Sequence, residues 1–183
     1  MNTSDAHKQK IVNSVEQWLQ TCVLGLSLCP YARVPFERGK VRIAAYDAGQ
    51  LSQSLDRETE LLQRQPMQIE TTLLVLASGF ENFFDFNDSV GDIEDMLQDR
   101  YLDSQFQLAS FHPAFLFGGE PVTDASHYTN RAPYPIVQLL RVESVAKAVD
   151  EGDTLAVPER NMKKLRSLEK NHLATLFPWV VVR

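Results

Sequence analysis

The segment Glu70 to Ala77, ETTLLVLA, constrains this chain more than any other. It opens with β-branched residues and continues as an unbroken apolar run. A strand with one wet face alternates apolar and polar residues, whereas a short continuous run marks a strand covered on both faces. Such a strand needs helices above and below it. The flanking sequence supplies them. Leu51 to Arg64 is a charged amphipathic helix stopped by Gln65-Pro66. Asn82 to Tyr101 reads as a second helix, with Phe84, Val90, Ile93, Met96 and Leu97 inward.

The remaining elements follow from the same periodicities. Residues 5–28 read as a helix, with Ser4 or Asp5 as cap, apolar residues from Ile11 to Leu26 at helical spacing, and Pro30 as terminator. Val41 to Tyr46 and Phe106 to Phe111 read as strands. Pro135 to Leu140 and Ser144 to Val149 look helical, and Val157-Pro158-Glu159 opens a last helix to about Leu176. The tail from Pro178 to Arg183 reads as a frayed end or a late edge strand. Strands alternating with helices predict an α/β fold: a small, mostly parallel sheet of three to four strands with a β-α-β-α-β core, an N-terminal helix and C-terminal helices packed on it. The alternative is an α+β sandwich with an antiparallel strand. No repeat or linker divides residues 1–183, which read as one domain.

A chain of 183 residues with 44% hydrophobic content can bury a core without staples. Its net charge of −6 argues against nucleic acid and anionic membrane surfaces as partners. No apolar run approaches the roughly 18 residues of a membrane span. The opening MNTSDAHKQK lacks the apolar core of a signal peptide, so a cytoplasmic, reducing setting is expected. Cys22 and Cys29 are then free thiols. On one helix their spacing is a rise of about 10.5 Å, beyond the roughly 7 Å a disulfide spans.

Chemistry concentrates in Phe111 to Pro135, FHPAFLFGGEPVTDASHYTNRAPYP. It has neither helical nor strand periodicity, yet it is too aromatic to be disordered. Long structureless segments in compact domains are usually functional. His112 follows a strand, and ligands of open α/β sheets bind outside the carboxyl ends of strands. It is the candidate acid or base. Asn130, Arg131 and Tyr134 sit on a backbone stiffened by Pro133 and Pro135, which suits them to hold a ligand. Arg141 lies among apolar residues and calls for an acidic partner. A metal at His112, His127, Glu120 and Asp124 is the weaker reading, because no His/Cys spacing matches a structural zinc pattern. No metal or cofactor is assigned.

A second stretch, residues 30–42, holds Arg33, Arg38, Lys40 and Arg42 against Glu37 alone. Arginine pairs bidentately with carboxylate or phosphate, so Arg33 is a candidate anion ligand. The plainer reading is that these cations complement the acidic helix Leu51 to Arg64. Cys29-Pro30-Tyr31 looks like half of a glutaredoxin motif. The helix precedes the cysteine, however, which places its thiol at a negative helix end, and Ala32 stands where a resolving partner would be.

Leu28-Cys29-Pro30-Tyr31-Ala32, Phe111-His112-Pro113, Asn130-Arg131-Ala132-Pro133-Tyr134-Pro135 with Leu139-Leu140-Arg141, and Val157-Pro158-Glu159-Arg160-Asn161 together resemble a family of uncharacterised bacterial proteins, domain-of-unknown-function family 1415. The family pattern more often carries Ser where Ala132 stands. The resemblance runs from about residue 10 to 176 and implies no activity, fold or cofactor. The residues themselves lead to an expectation of an enzyme for a small anionic metabolite, with Arg33 and Arg131 as clamp, His112 as acid or base, Cys29 as a wall of the site or a nucleophile, Asn130 and Tyr134 orienting, and Arg141 as a further ligand-binding candidate. The alternatives are a non-catalytic ligand-binding or protein-interaction module and a thiol redox protein using Cys29. The enzyme expectation requires the two stretches to meet in one hollow beside the sheet.

Overall fold

Strands β1 (Val41–Asp47), β2 (Thr71–Ser78), β3 (Phe106–Phe111) and β4 (Ile136–Arg141) form one open sheet in the order β1-β2-β4-β3 in the computed structural model, which describes residues 3–151 and 156–180. β1 and β2 pair in parallel, while β4 is antiparallel to both β2 and β3. β1, β2 and β3 therefore point the same way, as a β-α-β-α-β order requires. The mostly parallel sheet nevertheless does not form, because β4 inserts between β2 and β3 and makes two of the three ladders antiparallel. Pro135 to Leu140, expected as helix, is that strand. A six-residue apolar run fits either element by periodicity, and here pairing with two neighbours decides it. Ile136, Val137 and Leu139 are fully buried, Ile136 on one face and the other two on the opposite face.

β2 is buried on both faces, as its sequence requires. Leu73 and Val75 join a cluster with Ile11, Val15 and Trp18 of α1 (Thr3–Trp18), Leu165 of α6 (Val157–Arg166) and Leu173 of α7 (Lys170–Leu176). Leu74 and Leu76 face Leu55 and Leu62 of α3 (Leu51–Arg64) and Phe83, Phe86, Ile93 and Leu97 of α4 (Phe83–Asp99). Each such side chain contributes about 1.5–3 kcal/mol on burial. The inward aromatics of α4 are Phe83 and Phe86, whereas Phe84 is exposed. Asn82 caps this helix by accepting the Phe84 N–H at 2.8 Å, which sets the phase of its faces.

The N-terminal helix starts at Thr3, which puts Asp5 inside its first turn. After Trp18 it widens into a π-helical stretch, Leu19–Leu24. It closes at Ser27, whose left-handed backbone (φ 51°) allows the Leu28 N–H to reach the Val23 carbonyl at 2.8 Å and the Ser27 N–H to reach Leu24 at 3.1 Å. Arg33–Glu37 forms a short helix, α2, and Val142–Glu151 forms α5. The expected last helix is two, α6 and α7, broken at residues 167–169. Residues 181–183 of the tail lie outside the described residues. No helix among the described residues is long and apolar enough to cross a membrane.

Candidate functional site

The carboxyl ends of β1, β2 and β3 share one edge of the sheet, and the segment from His112 to Pro135 wraps over it. Hydrogen bonds fasten both of its ends. The Asn130 amide donates to the Ser110 carbonyl at 3.0 Å, and the His112 N–H donates to the Asn130 carbonyl at 3.1 Å. The Leu76 N–H reaches Pro135 at 2.9 Å, which starts β4. Between them lies a 3₁₀ turn, Ala125–Asn130, capped by Asp124, whose carboxylate accepts the Ser126 N–H at 2.7 Å. Asn130 thus ties the loop to β3 and sets the position of Arg131.

His112 is 1% exposed. Its Nδ1 accepts the Ala114 N–H at 3.0 Å, which leaves the proton on Nε2 to be donated to the Phe80 carbonyl at 2.8 Å. The ring stacks on Phe86 at 5.2 Å and meets Phe83 at 5.6 Å. Burial lowers its pKa, with the Phe80 hydrogen bond partly opposing. The carbonyl it holds belongs to a residue with φ 59°, next to Gly79 at φ 77°. Gly79 is required there, since a Cβ would stand 2.7 Å from that of Ala48. His127 repeats the device. Its Nδ1 accepts from the Phe117 N–H at 3.0 Å, and its Nε2 donates to the Pro121 carbonyl at 2.8 Å. Both imidazoles are staples whose nitrogens are all engaged with backbone.

Arg131 differs. It is 8% exposed, and among the described residues no carboxylate pairs with it. Its Nε makes one long contact, 3.4 Å, to the Phe115 carbonyl, and its guanidinium lies 4.6 Å from the centre of the Tyr128 ring. Burial lowers its pKa, the Tyr128 phenol partly opposing. An arginine cannot escape burial by deprotonation, so the charge stays. The guanidinium also donates a side-chain hydrogen bond to the Tyr128 hydroxyl. The backbone is held from behind, where the Trp18 indole donates to the Arg131 carbonyl at 3.0 Å.

These are the residues the sequence motifs single out, on the edge where they were expected. Residues 10–175 match the family model described as Protein of unknown function (DUF1415). The chain belongs to the DUF1415 family. No curated protein and no solved structure matches it.

The other family motifs sit apart from Arg131. Arg141 is at the far end of β4, where its Nη2 donates to the carbonyls of Leu62 and Ile69. It closes the end of α3, and the acidic partner expected for it is replaced by these two carbonyls. Arg33 is 56% exposed in its side chain and reaches Glu37 and the Leu24 carbonyl. No described hydrogen bond or ion pair joins it to Arg131 or His112. Cys29 and Ala32 pack on the same apolar cluster as Phe111, Ala132 and Tyr134, so the two stretches share a layer without forming a shared polar hollow. Tyr134 is half-buried there. Asn161 of α6 donates to the Leu28 carbonyl at 2.7 Å.

Cys29 precedes a helical turn that leads into α2, so its thiol is not at a helix C-terminus as the sequence suggested. Burial still raises its pKa, against weaker lowering by the N–H groups of Tyr31 and Ala32. Cys22 and Cys29 are both free. Among the described residues no cluster of three or more His, Cys, Asp or Glu could hold a metal ion. Glu120 and Asp124 are engaged with Arg166, at 2.9 and 3.0 Å.

One polar centre escaped sequence reading. Glu58 of α3 is 0% exposed and receives Arg42 through both oxygens, at 2.7 and 3.0 Å, and the Tyr46 hydroxyl at 2.7 Å. The reading that the basic stretch complements the acidic helix holds for Arg42. The signal was present in the matched faces of β1 and α3, since Arg42 and Tyr46 are four apart on a strand and share its face. Two surface recesses, of about 460 and 270 Å³, lie on α6 near Arg166 and between α1 and β1. Neither includes His112 or Arg131.

Proposed function

We propose that this protein is a small-anion-binding module of the cytoplasm, anchored by Arg131, with His112 as a structural support of the site. One observation carries the reading: Arg131 is 8% exposed, and among the described residues no carboxylate pairs with its guanidinium. Leaving a buried charge unpaired costs several kcal/mol, which a bound anion would offset. The engaged ring nitrogens of His112 favour binding over acid–base catalysis, because neither is free to exchange a proton with a substrate. The raised thiol pKa of Cys29 weighs against redox chemistry.

The test is thermal melting of the protein against a panel of small anions at constant ionic strength, with Arg131→Met alongside. Ligands that bind the folded state raise apparent stability. At least one anion should raise the melting temperature of the native protein and leave the variant unmoved. A flat response across carboxylates and oxoanions ends the proposal.

A further inference from the structure

We infer that β1 is an interface between two copies of this chain, which pair their β1 edges antiparallel about a two-fold axis and join two four-stranded sheets into one. The inference is independent of the Arg131 site.

The sheet has two edges, β1 and β3, and among the described residues only the β3 edge is closed. In an extended strand the backbone N–H and C=O of one residue point to the same side, and the side alternates from residue to residue. Just before β3 the Gln105 carbonyl accepts the Val142 N–H from the β4 side, so Phe106, Leu108 and Ser110 turn outward. Asn130 covers them, with its amide on the Ser110 carbonyl. Just before β1 the Lys40 carbonyl accepts the Glu70 N–H at 2.9 Å from the β2 side. Arg42, Ala44 and Tyr46 therefore turn to β2, and Val41, Ile43 and Ala45 turn outward. No described hydrogen bond reaches the outward backbone groups of these three residues.

Proteins blunt such edges with prolines, inward-pointing charges or bulges. The bulge in this ladder lies between Tyr46 and Asp47, past the three outward residues. Their side chains are apolar and half-buried on the α1 side. The recess of about 270 Å³ opens beside them, lined by Val12 and Phe36 together with Val41 and Ile43.

Self-complementarity makes the occupant a second copy. A single antiparallel register lets all three outward residues of one chain meet all three of the other. Val41 then faces Ala45, Ile43 faces Ile43 on the axis, and Ala45 faces Val41. Each facing pair exchanges both of its backbone hydrogen bonds. On the α1 side this sets apolar against apolar. On the other side Arg42 faces Ala44 and Lys40 faces Tyr46, so no like charges are opposed. The same register brings Asp47 to the end of the strand where the partner's Arg38 and Lys40 stand. Those two cations have no ion pair among the described residues, whereas Arg33 and Arg42 do. A two-fold interface has to match itself in bonding, apolarity and charge, and this edge does.

The test is sedimentation equilibrium of the full chain across micromolar concentrations, with Ala45→Pro alongside. Proline there deletes an outward N–H and spares the β2 ladder, a placement that edge strands tolerate. The native chain should be a dimer, and Ala45→Pro should weaken association by at least about tenfold. Cross-linking reads the register and does not depend on the proline variant folding. Ile43→Cys puts two thiols in one facing pair, with Cα atoms about 5.5 Å apart, within disulfide reach. Val41→Cys leaves its two thiols about 13 Å apart along the strands. Under oxidised glutathione Ile43→Cys should run as a covalent dimer on a non-reducing gel, and Val41→Cys and the native chain should not. A native chain that stays monomeric overturns the inference. So does a dimer that a folded Ala45→Pro leaves unchanged, or one that Val41→Cys cross-links as readily as Ile43→Cys.

Discussion

Arg141 ends β4 and Arg131 precedes it by five residues; both are buried or half-buried, and among the described residues neither pairs with a carboxylate, yet the structure holds them differently. Arg141 at the carboxyl end gives hydrogen bonds to two backbone carbonyls, Leu62 and Ile69, and so joins α3 and the start of β2 to β4. Arg131, five residues before β4 begins, has one long contact and a ring beneath it. Arginine at the first site satisfies acceptors that would otherwise be unpaired. At the second its described partners are the Phe115 carbonyl and the Tyr128 side chain. Arg141 is tied to backbone through Nη2 although its buried Nε has no hydrogen-bond partner among the described residues, so a spare donor alone does not mark a binding place; what sets Arg131 apart is that its one backbone contact is long.

The comparison breaks or holds first on methionine substitution. Arg141→Met leaves two carbonyls without a charged donor and should cost about 3 kcal/mol in urea unfolding. Arg131→Met removes a buried charge that no carboxylate among the described residues balances. It should be within about 1 kcal/mol of the native protein, on either side. Equal large losses at both sites would mean that Arg131 is as structural as Arg141.

His112 belongs with Arg141. His112→Leu leaves the Phe80 carbonyl and the Ala114 N–H unpaired and should cost about 2–3 kcal/mol. Its pH dependence has a definite sign. The folded pKa is depressed below the ordinary 6.5, so between the two values the unfolded chain binds the extra proton. The stabilisation from neutral His112 is complete above pH 6.5 and declines as pH falls below it toward the folded value. Melting temperature against pH should show that decline in the native protein and a flatter profile in His112→Leu. Identical profiles would remove His112 as the cause, and an imidazole that titrates at or above 6.5 by NMR would show it free for chemistry.

How far the sequence revealed these two ends depends on the range of the interactions. α3, β2 and β3 follow periods contained within each segment, and they appear where the pattern puts them. β4 was missed because IVQLL is short and apolar, and its identity is settled by neighbours 25 to 35 residues away in β3 and more than 60 away in β2. The sheet order went with it, since inserting one strand converts a parallel neighbour pair into two antiparallel ones. The site edge was legible, because a His directly after a strand and a Pro-stiffened Asn-Arg pair both mark the carboxyl end. The state of the imidazole was not. Its partner is the carbonyl of Phe80, 32 residues earlier, and no residue type announces a carbonyl. Phe84 shows the same limit on a smaller scale: Asn82 as cap rotates α4 so that Phe83 and Phe86 turn inward.

The smallest expected effect concerns Asp124, on the same loop as Arg131 and paired with Arg166. Asp124 is held at a pKa of about 2 by the Ser126 hydroxyl and N–H and by Arg166. A carboxylate depressed in the folded state stabilises fully above its ordinary value near 3.9 and loses that contribution as pH falls toward 2, so at neutral pH the pair is intact. The pair lies at the surface, with Asp124 half-buried and Arg166 exposed, and Asp124→Asn should shift the melting temperature less than Arg141→Met or His112→Leu. Its informative readout is binding. Removing one negative charge from the loop should tighten any anion that Arg131 binds by at most about twofold, and the gain should vanish in 1 M salt, where exposed charges are screened beyond about 3 Å. Weaker binding in the variant would mean that Asp124 acts on Arg131 by positioning the 3₁₀ turn and not by repelling the anion.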